Sequence, residues 1–240
     1  MASERIEEFI ASSLWGRNLT AEQLRRVLGD TSELMAEGGQ TVCHRGVRAE
    51  YWYGVVEGLV KVSNVTREGR PTSLIGIPTG GWFGEGSVLK NENRPYDVVA
   101  LRASHLAQVP AATFHWLLGC SLPFNRFLIE QLNARLAQFV IRVEHFRSSA
   151  PERHVAHCLA ELFNAELYPG TAAMLRISQE EIALLAGVSR QLVNRALRRL
   201  EDARLLQASY GSIRILDIEA LRAFASEGEV KSDAETRRAD

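Results

Sequence analysis

Cysteine is scarce in this chain: Cys43, Cys120 and Cys158 are widely spaced and odd in number. That excludes a disulfide framework, and no CxxC pair is present to hold a metal or run a dithiol cycle. Buried, inert thiols are the expected role. Long apolar runs are missing too. None approaches the roughly 20 residues that span a bilayer, so no membrane partner is expected. The opening "MASERIEEFIASSLW" carries acids where a signal peptide carries a basic stretch and an unbroken apolar core, which points to a cytoplasmic protein. Neither sign of charge is in excess, since the net charge is -1. A general cationic field for nucleic acid is therefore lacking, and any basic surface must be local. No Ser-His-Asp set, nucleotide-binding glycine motif or HxH pair occurs, which removes the commonest enzyme signatures. A metal-dependent β-roll enzyme stays as the alternative from another class, but its clustered strand histidines are not evident.

What is present is the composition of a globular protein, 46% hydrophobic and 24% charged, long enough at 240 residues for one large domain or two small ones. Residues 1–36 read as short amphipathic helices, with Leu24, Val27 and Leu28 on one face of "TAEQLRRVLGD". From about 38 to 110 the pattern turns to short apolar or alternating runs such as "YWYGVVEGLVKVSNV" and "TSLIGI". Turns are supplied by Gly46, Gly58, Gly69, Gly76, Gly80, Gly81, Gly84 and Gly86, which predicts an antiparallel sandwich or jelly roll.

A long helix is predicted over 123–147. Leu132, Leu136, Phe139, Val143 and Phe146 recur at alternating spacings of four and three, the seam of a coiled coil, and Leu128 is added one turn back. The other reading of this stripe is a helix packed on its own domain. Beyond Pro151 helices and short strands alternate, and the polar tail "EGEVKSDAETRRAD" is expected to be disordered. The fold class is therefore α+β. A sensor domain spans 1–122, a central helix 123–149, a C-terminal domain 150–226 and the tail 227–240.

The informative stretch is "ISQEEIALLAGVSRQLVNRALRRLED". Ser178 with Glu181 forms a capping box, so a helix starts there. Gly187 can take the left-handed conformation that ends it, and Ser189 caps a second helix. Helix, tight glycine turn and helix within about 22 residues make a helix-turn-helix. At 3.6 residues per turn, Leu192, Val193, Ala196, Leu197 and Leu200 fall on one side of the second helix. Arg190, Gln191, Asn194, Arg195 and Arg198 fall on the other. Arginine pairs bidentately with guanine, and glutamine or asparagine with adenine. A solvated face would mix lysine with glutamate, whereas here Glu201 and Asp202 wait until the helix end. Double-stranded DNA is the predicted partner. "LLQASYGSIRIL" then reads as a two-stranded wing, with Arg204 and Arg214 placed for phosphates.

Glycine-rich β-roll, "GWFGEGSVLKNENRPYDVVAL", long helix and helix-turn-helix in this order resemble the Crp–Fnr superfamily of bacterial transcription regulators. The likeness covers about residues 20–220. It implies a cyclic-nucleotide-binding-like β-roll, a central dimerisation helix and a C-terminal winged helix-turn-helix, acting as a homodimer on a two-fold symmetric site with RNA polymerase as a partner. Leu128, Leu132, Leu136, Phe139, Val143 and Phe146 would join the subunits. The family's recognition positions correspond to Arg190, Gln191 and Arg195. Ser189 at the cap, Asn194 and Arg198 complete the predicted DNA-binding set. Glutamine replaces the family's glutamate at Gln191, which predicts a half-site shifted toward adenine there.

The resemblance also places an effector pocket at Gly84, Glu85, Arg94, Tyr96, Arg135, Phe139 and Val140. The family's glycine–glutamate pair is matched by Gly84 and Glu85, and Arg94 and Arg135 are retained. Pro95, however, stands where a serine is usual, the loop before it is one residue shorter, and the bulky Tyr96 follows. Phe139 and Val140 replace the hydroxyls that read an adenine base. Proline offers a phosphate neither a hydroxyl nor an N–H, and a polar ligand suffers when its partners vanish. Cyclic AMP is therefore disfavoured, and the effector is expected to be another small molecule. A cyclic-nucleotide receptor with a pocket rebuilt around Phe139 and Tyr96 is the runner-up. Glu85 and Arg94 read equally as ligand contacts or as an ion pair holding the roll's turn. No iron–sulfur cluster is expected, because the N-terminal cysteine cluster it needs is absent. Haem stays open through His44, His105 and His115, against a structural role for each. "HVAHC" puts His154, His157 and Cys158 together on a helix, short of the four ligands of structural zinc, so no metal site is predicted.

Overall fold

Residues 3–65, 71–148, 150–171 and 174–226 are described in the computed structural model. The tail from 227 on, Gly69 and the side chain of Phe146 lie outside them. Thr20 opens the second helix with a full capping box: its hydroxyl accepts from the N–H of Gln23, whose side chain accepts from the N–H of Thr20. That helix, α2 (Ala21–Asp30), and the preceding α1 (Glu4–Ser12) bury Ile6, Ile10 and Val27 and leave their acids outside.

Eight strands follow: β1 (Ser32–Ala36), β2 (Thr41–Cys43), β3 (Tyr51–Glu57), β4 (Leu59–Val65), β5 (Pro71–Pro78), β6 (Trp82–Phe83), β7 (Asp97–Ala100) and β8 (Ser104–Pro110). They form two four-stranded antiparallel sheets, ordered β1-β8-β3-β6 and β2-β7-β4-β5. Three helices complete this part, α3 (Glu85–Lys90) between β6 and β7, then α4 (Ala111–Cys120) and α5 (Leu122–Ser148). This is the jelly-roll texture expected from the glycine-punctuated runs.

An aromatic cluster is the core of the roll. Trp52, fully buried on β3, lies 4.2 Å from Trp82, 5.1 Å from Trp15 and 5.4 Å from Phe114 between ring centroids. Gly54 on the same strand makes room for it. A Cβ there would meet the ring of Phe9 at 2.6 Å and that of Trp82 at 2.9 Å, so backbone must stand where a side chain cannot.

The described residues fall into two compact units, one built from residues up to Arg135 together with Ala165–Gly170, the other from Leu136–Asn164 and the residues from Thr171 on. The short segment Ala165–Gly170 therefore belongs with the roll rather than with the C-terminal elements that flank it in sequence. Tyr168, 1% exposed, explains this: its hydroxyl donates to the carbonyl of Gly76 at 3.1 Å and accepts from Arg135 Nη1 at 2.8 Å.

One expectation for α5 is corrected. Leu128, placed on the subunit seam, is 4% exposed and packed in the aromatic core of the roll, so it cannot face a second subunit. The neighbouring residue Ile129 is 60% exposed. Ile129, Leu132, Leu136, Phe139 and Val143 keep the strict alternation of three and four, whereas Leu128 breaks it. Leu136 and Val143 are 63% and 57% exposed, and Leu132 and Phe139 are half-buried.

The second unit holds α6 (Pro151–Leu162), β9 (Met174–Arg176), α7 (Gln179–Ala186), α8 (Arg190–Asp202), β10 (Leu206–Ser209), β11 (Ser212–Ile215) and α9 (Ile218–Ser226). Its strands form an antiparallel sheet in the order β10-β11-β9. Val155, Leu159, Ile182, Val193, Leu197, Leu200, Ile213 and Leu221 are buried in this unit.

Candidate nucleic-acid interface and effector pocket

Local capping sets the geometry of α7 and α8. The Ser178 hydroxyl accepts from the N–H of Glu181 at 3.2 Å, and Glu181 Oε2 accepts from the N–H of Ser178 at 2.6 Å. Gly187 stops α7 at φ 68°, a left-handed conformation natural to glycine. The Ser189 hydroxyl then accepts from the N–H of Leu192 at 3.3 Å and starts α8. Val193, Ala196, Leu197 and Leu200 of α8 are buried and Leu192 half-buried, as the sequence periodicity required.

Arg190, Gln191, Arg195, Arg198 and Arg199 are exposed, and Asn194 is half-buried. With Gln179 they line one open hollow of about 890 Å³. Gln179 is a residue that the sequence reading missed. It is the first residue of α7, next to the cap, and accepts from Asn194 Nδ2 at 3.5 Å. Its position just inside the capping box is the signal that could have found it.

The charges on this face differ in one respect. Among the described residues Arg190, Arg198 and Arg199 have no carboxylate within ion-pair distance, whereas Arg195 Nε lies 3.0 Å from Glu152 Oε1 of α6. The wing is in place beside them. β10 and β11 pair from Leu206↔Ile215 to Ser209↔Ser212 across Tyr210 and Gly211, and Glu201 Oε1 of α8 accepts from the N–H of Ala208 at 2.8 Å. Arg204 and Arg214 are exposed.

In the roll, five of the predicted pocket residues come together. Gly84 adopts φ 90°, and a Cβ on it would meet Arg94 Nη1 at 2.5 Å, so glycine lets the guanidinium approach the backbone. Arg94 is 4% exposed, donates through Nη2 to the carbonyl of Tyr51, and lies 5.3 Å from the centre of the Tyr53 ring. Glu85 is 6% exposed, and its ion pair is with Arg135, Nε to Oε1 at 4.0 Å. No Glu85–Arg94 ion pair occurs among the described residues, so that structural reading of the two is set aside. Instead Arg94 Nη1 and Glu85 Oε2 are both buried without a hydrogen-bond partner among them.

Burial, and then the negative charge of Glu85, push the Tyr96 hydroxyl up to about 12, so it remains a neutral donor at ordinary pH. A buried guanidinium and a buried carboxylate with unused hydrogen-bonding capacity fit a ligand carrying both an anionic oxygen and a hydroxyl. Phe139 and Val140 lie in the other unit, Val140 58% exposed.

The remaining candidates have structural partners. His105 Nε2 is 2.7 Å from Glu33 Oε2 and His115 Nε2 is 2.9 Å from the carbonyl of Val88, while His44 is exposed. Burial pushes the Cys158 thiol up to about 11 and Cys43 is buried too, which suits the inert role expected of them, whereas Cys120 is exposed and departs from that expectation. No group of three metal-ligating side chains is assembled among the described residues. No helix there is long and apolar enough to cross a membrane.

A cyclic-nucleotide-binding type of roll followed by a winged helix-turn-helix defines a class, the DNA-binding regulator that carries its own sensor. Comparison with known proteins gives the family. Residues 34–119 match the cyclic nucleotide-binding domain family and residues 153–224 the Crp-like helix-turn-helix domain family. The chain is 26% identical to the transcriptional regulator SdrP of Thermus thermophilus, over 79% of this chain and 92% of that one. It is 28% identical to the cAMP-activated global transcriptional regulator CRP of Salmonella typhimurium, over 70% of this chain and 81% of that one. Its fold is similar to that of FixK2 from Bradyrhizobium japonicum, with a TM-score of 0.67 at 20% identity, covering 81% of this chain and 96% of that one. The chain belongs to the Crp–Fnr superfamily and is a transcription regulator of that type.

Proposed function

We propose that this regulator is a homodimer that reads a two-fold symmetric DNA site through α8 and answers to a small effector other than cyclic AMP. The observation that carries the reading is the exposed face of α8, where arginines without carboxylate partners stand beside Gln191 and Asn194 around one hollow. Ser189, Arg190, Gln191, Asn194, Arg195 and Arg198 contact the DNA, with α8 in the major groove and the wing over the flanking phosphates. Two-fold symmetry of the site follows from two-fold symmetry of the protein. The subunits join along Ile129, Leu132, Leu136, Phe139 and Val143 of α5, whose exposed or half-buried apolar side chains support a coiled-coil contact, with Phe146 next in the same alternation.

The effector binds at Gly84, Glu85, Arg94, Tyr96 and Arg135. The unpartnered atoms of Arg94 and Glu85 support a polar, anionic ligand. Pro95 argues against cyclic AMP, because it offers a phosphate no donor, and the resemblance adds Phe139 and Val140 at positions where the family has hydroxyls. The ligand biases the placement of the DNA-binding units through its differential affinity for two arrangements. The protein is not an enzyme, acts in the cytoplasm, and has RNA polymerase as its partner at the promoter.

Binding to duplex DNA at rising salt tests the central part. Wild-type protein should bind with log K falling steeply against log salt, as expected when several phosphates are neutralised. A variant with Arg190, Arg195, Arg198 and Arg199 all replaced by alanine should lose the binding while keeping its fold. Equal binding by that variant would overturn the reading of α8. Calorimetry with cyclic AMP tests the effector, and heat of saturable binding at micromolar concentration would reverse that part. Light scattering tests the dimer, and a monomeric mass would remove it.

A further inference from the structure

We infer that Glu152 is a positioning residue that fixes Arg195 for base reading, and so sets the sequence selectivity of α8. The inference rests on the proposal that α8 reads DNA. Its ground is the inequality among the arginines of that face: one of them is held by a carboxylate, and that carboxylate comes from a different helix. Arg195 Nε donates to Glu152 Oε1 at 3.0 Å. The Arg195 side chain is 63% exposed, but that of Glu152 is only 18% exposed. Glu152 follows Pro151 in the first turn of α6, where the helix dipole favours its negative charge. α6 itself is anchored by Val155, Cys158, Leu159 and Leu162, all buried. The carboxylate is thus a fixed point and the guanidinium the mobile partner.

The atom used decides what the pair can do. A guanidinium has five N–H donors in a rigid fork. Glu152 takes the one on Nε, which leaves the donors on Nη1 and Nη2 of a side chain that lines the hollow with Arg190, Gln191 and Asn194. The Nη1–Nη2 edge can grip O6 and N7 of guanine together. Holding Nε lowers the rotamer freedom that Arg195 must lose on binding and keeps it from wandering to a phosphate. The same carboxylate opposes phosphate close by, so it weakens binding to every sequence while favouring the one that satisfies Arg195.

Glu152→Ala, Glu152→Gln and Arg195→Ala should be compared on the duplex the wild-type protein selects, and on the same duplex with each base pair changed in turn. The expected result for Glu152→Ala is tighter binding to unrelated DNA and a loss of about tenfold in discrimination at one base pair per half-site, the size of one arginine–guanine contact. Glu152→Gln keeps an acceptor for Nε and should recover much of that discrimination. Discrimination at the same base pair should vanish in Arg195→Ala, and adding Glu152→Ala should change it no further. Unchanged discrimination in Glu152→Ala, with only a uniform gain in affinity, would overturn the inference and leave Glu152 as a repulsive charge. Failure of the wild-type protein to prefer any duplex would instead overturn the reading of α8 itself.

Discussion

The two charged regions of the molecule are built on opposite principles. On α8 the cations are exposed, lie within a few turns of one another, and Arg190, Arg198 and Arg199 stand without carboxylates among the described residues. In the roll, Glu85 and Arg94 are buried to 6% and 4% exposure, and Arg135 packs against Glu85 from α5. Exposed cations cost little to keep and can exchange water for phosphate or a base edge. Buried ones must be matched atom by atom, because an unpaired buried charge is expensive. The first region suits a large polyanion, and the second suits the small effector proposed above.

That contrast can be broken at four points, in order of expected size. Trp52→Ala removes the centre of the aromatic core and should lower the stability of the roll by about 3–5 kcal/mol, read from denaturant unfolding. A loss under about 1 kcal/mol would mean that the cluster is not the roll's core. Arg190→Ala should weaken binding to the selected site by about 1–3 kcal/mol and leave the melting temperature unchanged, since the side chain is exposed. Tyr168→Phe removes the hydroxyl that accepts from Arg135 and donates to the carbonyl of Gly76, and should reduce stability by about 1–2 kcal/mol while leaving effector-free DNA affinity unchanged, read from denaturant unfolding and duplex binding.

The smallest effect is a pH dependence. Ser3, through hydroxyl and N–H, and His105 hold the Glu33 carboxyl below its ordinary range. A depressed pKa in the folded state stabilises above the ordinary carboxylate value, and that contribution is lost as pH falls through the depressed one. Glu33→Gln should therefore flatten the acid limb of the stability curve below about pH 4.3, the unperturbed value for a glutamate. An acid limb identical to the wild type would show that the Ser3 and His105 contacts do not persist in solution.

How far each region could be read in the sequence follows from the range of its interactions. The boundaries of α7 and α8 depend on Ser178, Glu181, Gly187 and Ser189, each acting on a backbone group within five residues, so they could be written down in advance. Alternation between polar and apolar residues likewise gave the later strands of the roll and the wing, but β1 (Ser32–Ala36) falls in the stretch 1–36 read as helical, and only its pairing with β8 makes it a strand. The seam on α5 was misplaced by one residue at its start, because Leu128 and Ile129 are equally apolar and only packing against Trp52 and Phe124 assigns Leu128 inward. The roles of Tyr168 and Glu152 were not legible, and for Gln179 only its place beside the capping box was. Their partners Arg135, Arg195 and Asn194 lie 33, 43 and 15 residues away, so none of these pairings shows in a local pattern. The pairing of Glu85 with Arg135 rather than Arg94 was hidden for the same reason, since it joins α3 to the distant α5.

The most direct test of the central claim is selection of random duplex DNA by the purified protein, with and without cyclic AMP. Enrichment of a two-fold site whose half-sites lie about one helical turn apart, with guanine at the position read by Arg195 and no requirement for cyclic AMP, is the predicted result. Enrichment only in the presence of cyclic AMP would contradict the reading of Pro95, Phe139 and Val140. A selected site without two-fold symmetry would contradict the dimer, and with it the placement of α8 in two successive major grooves.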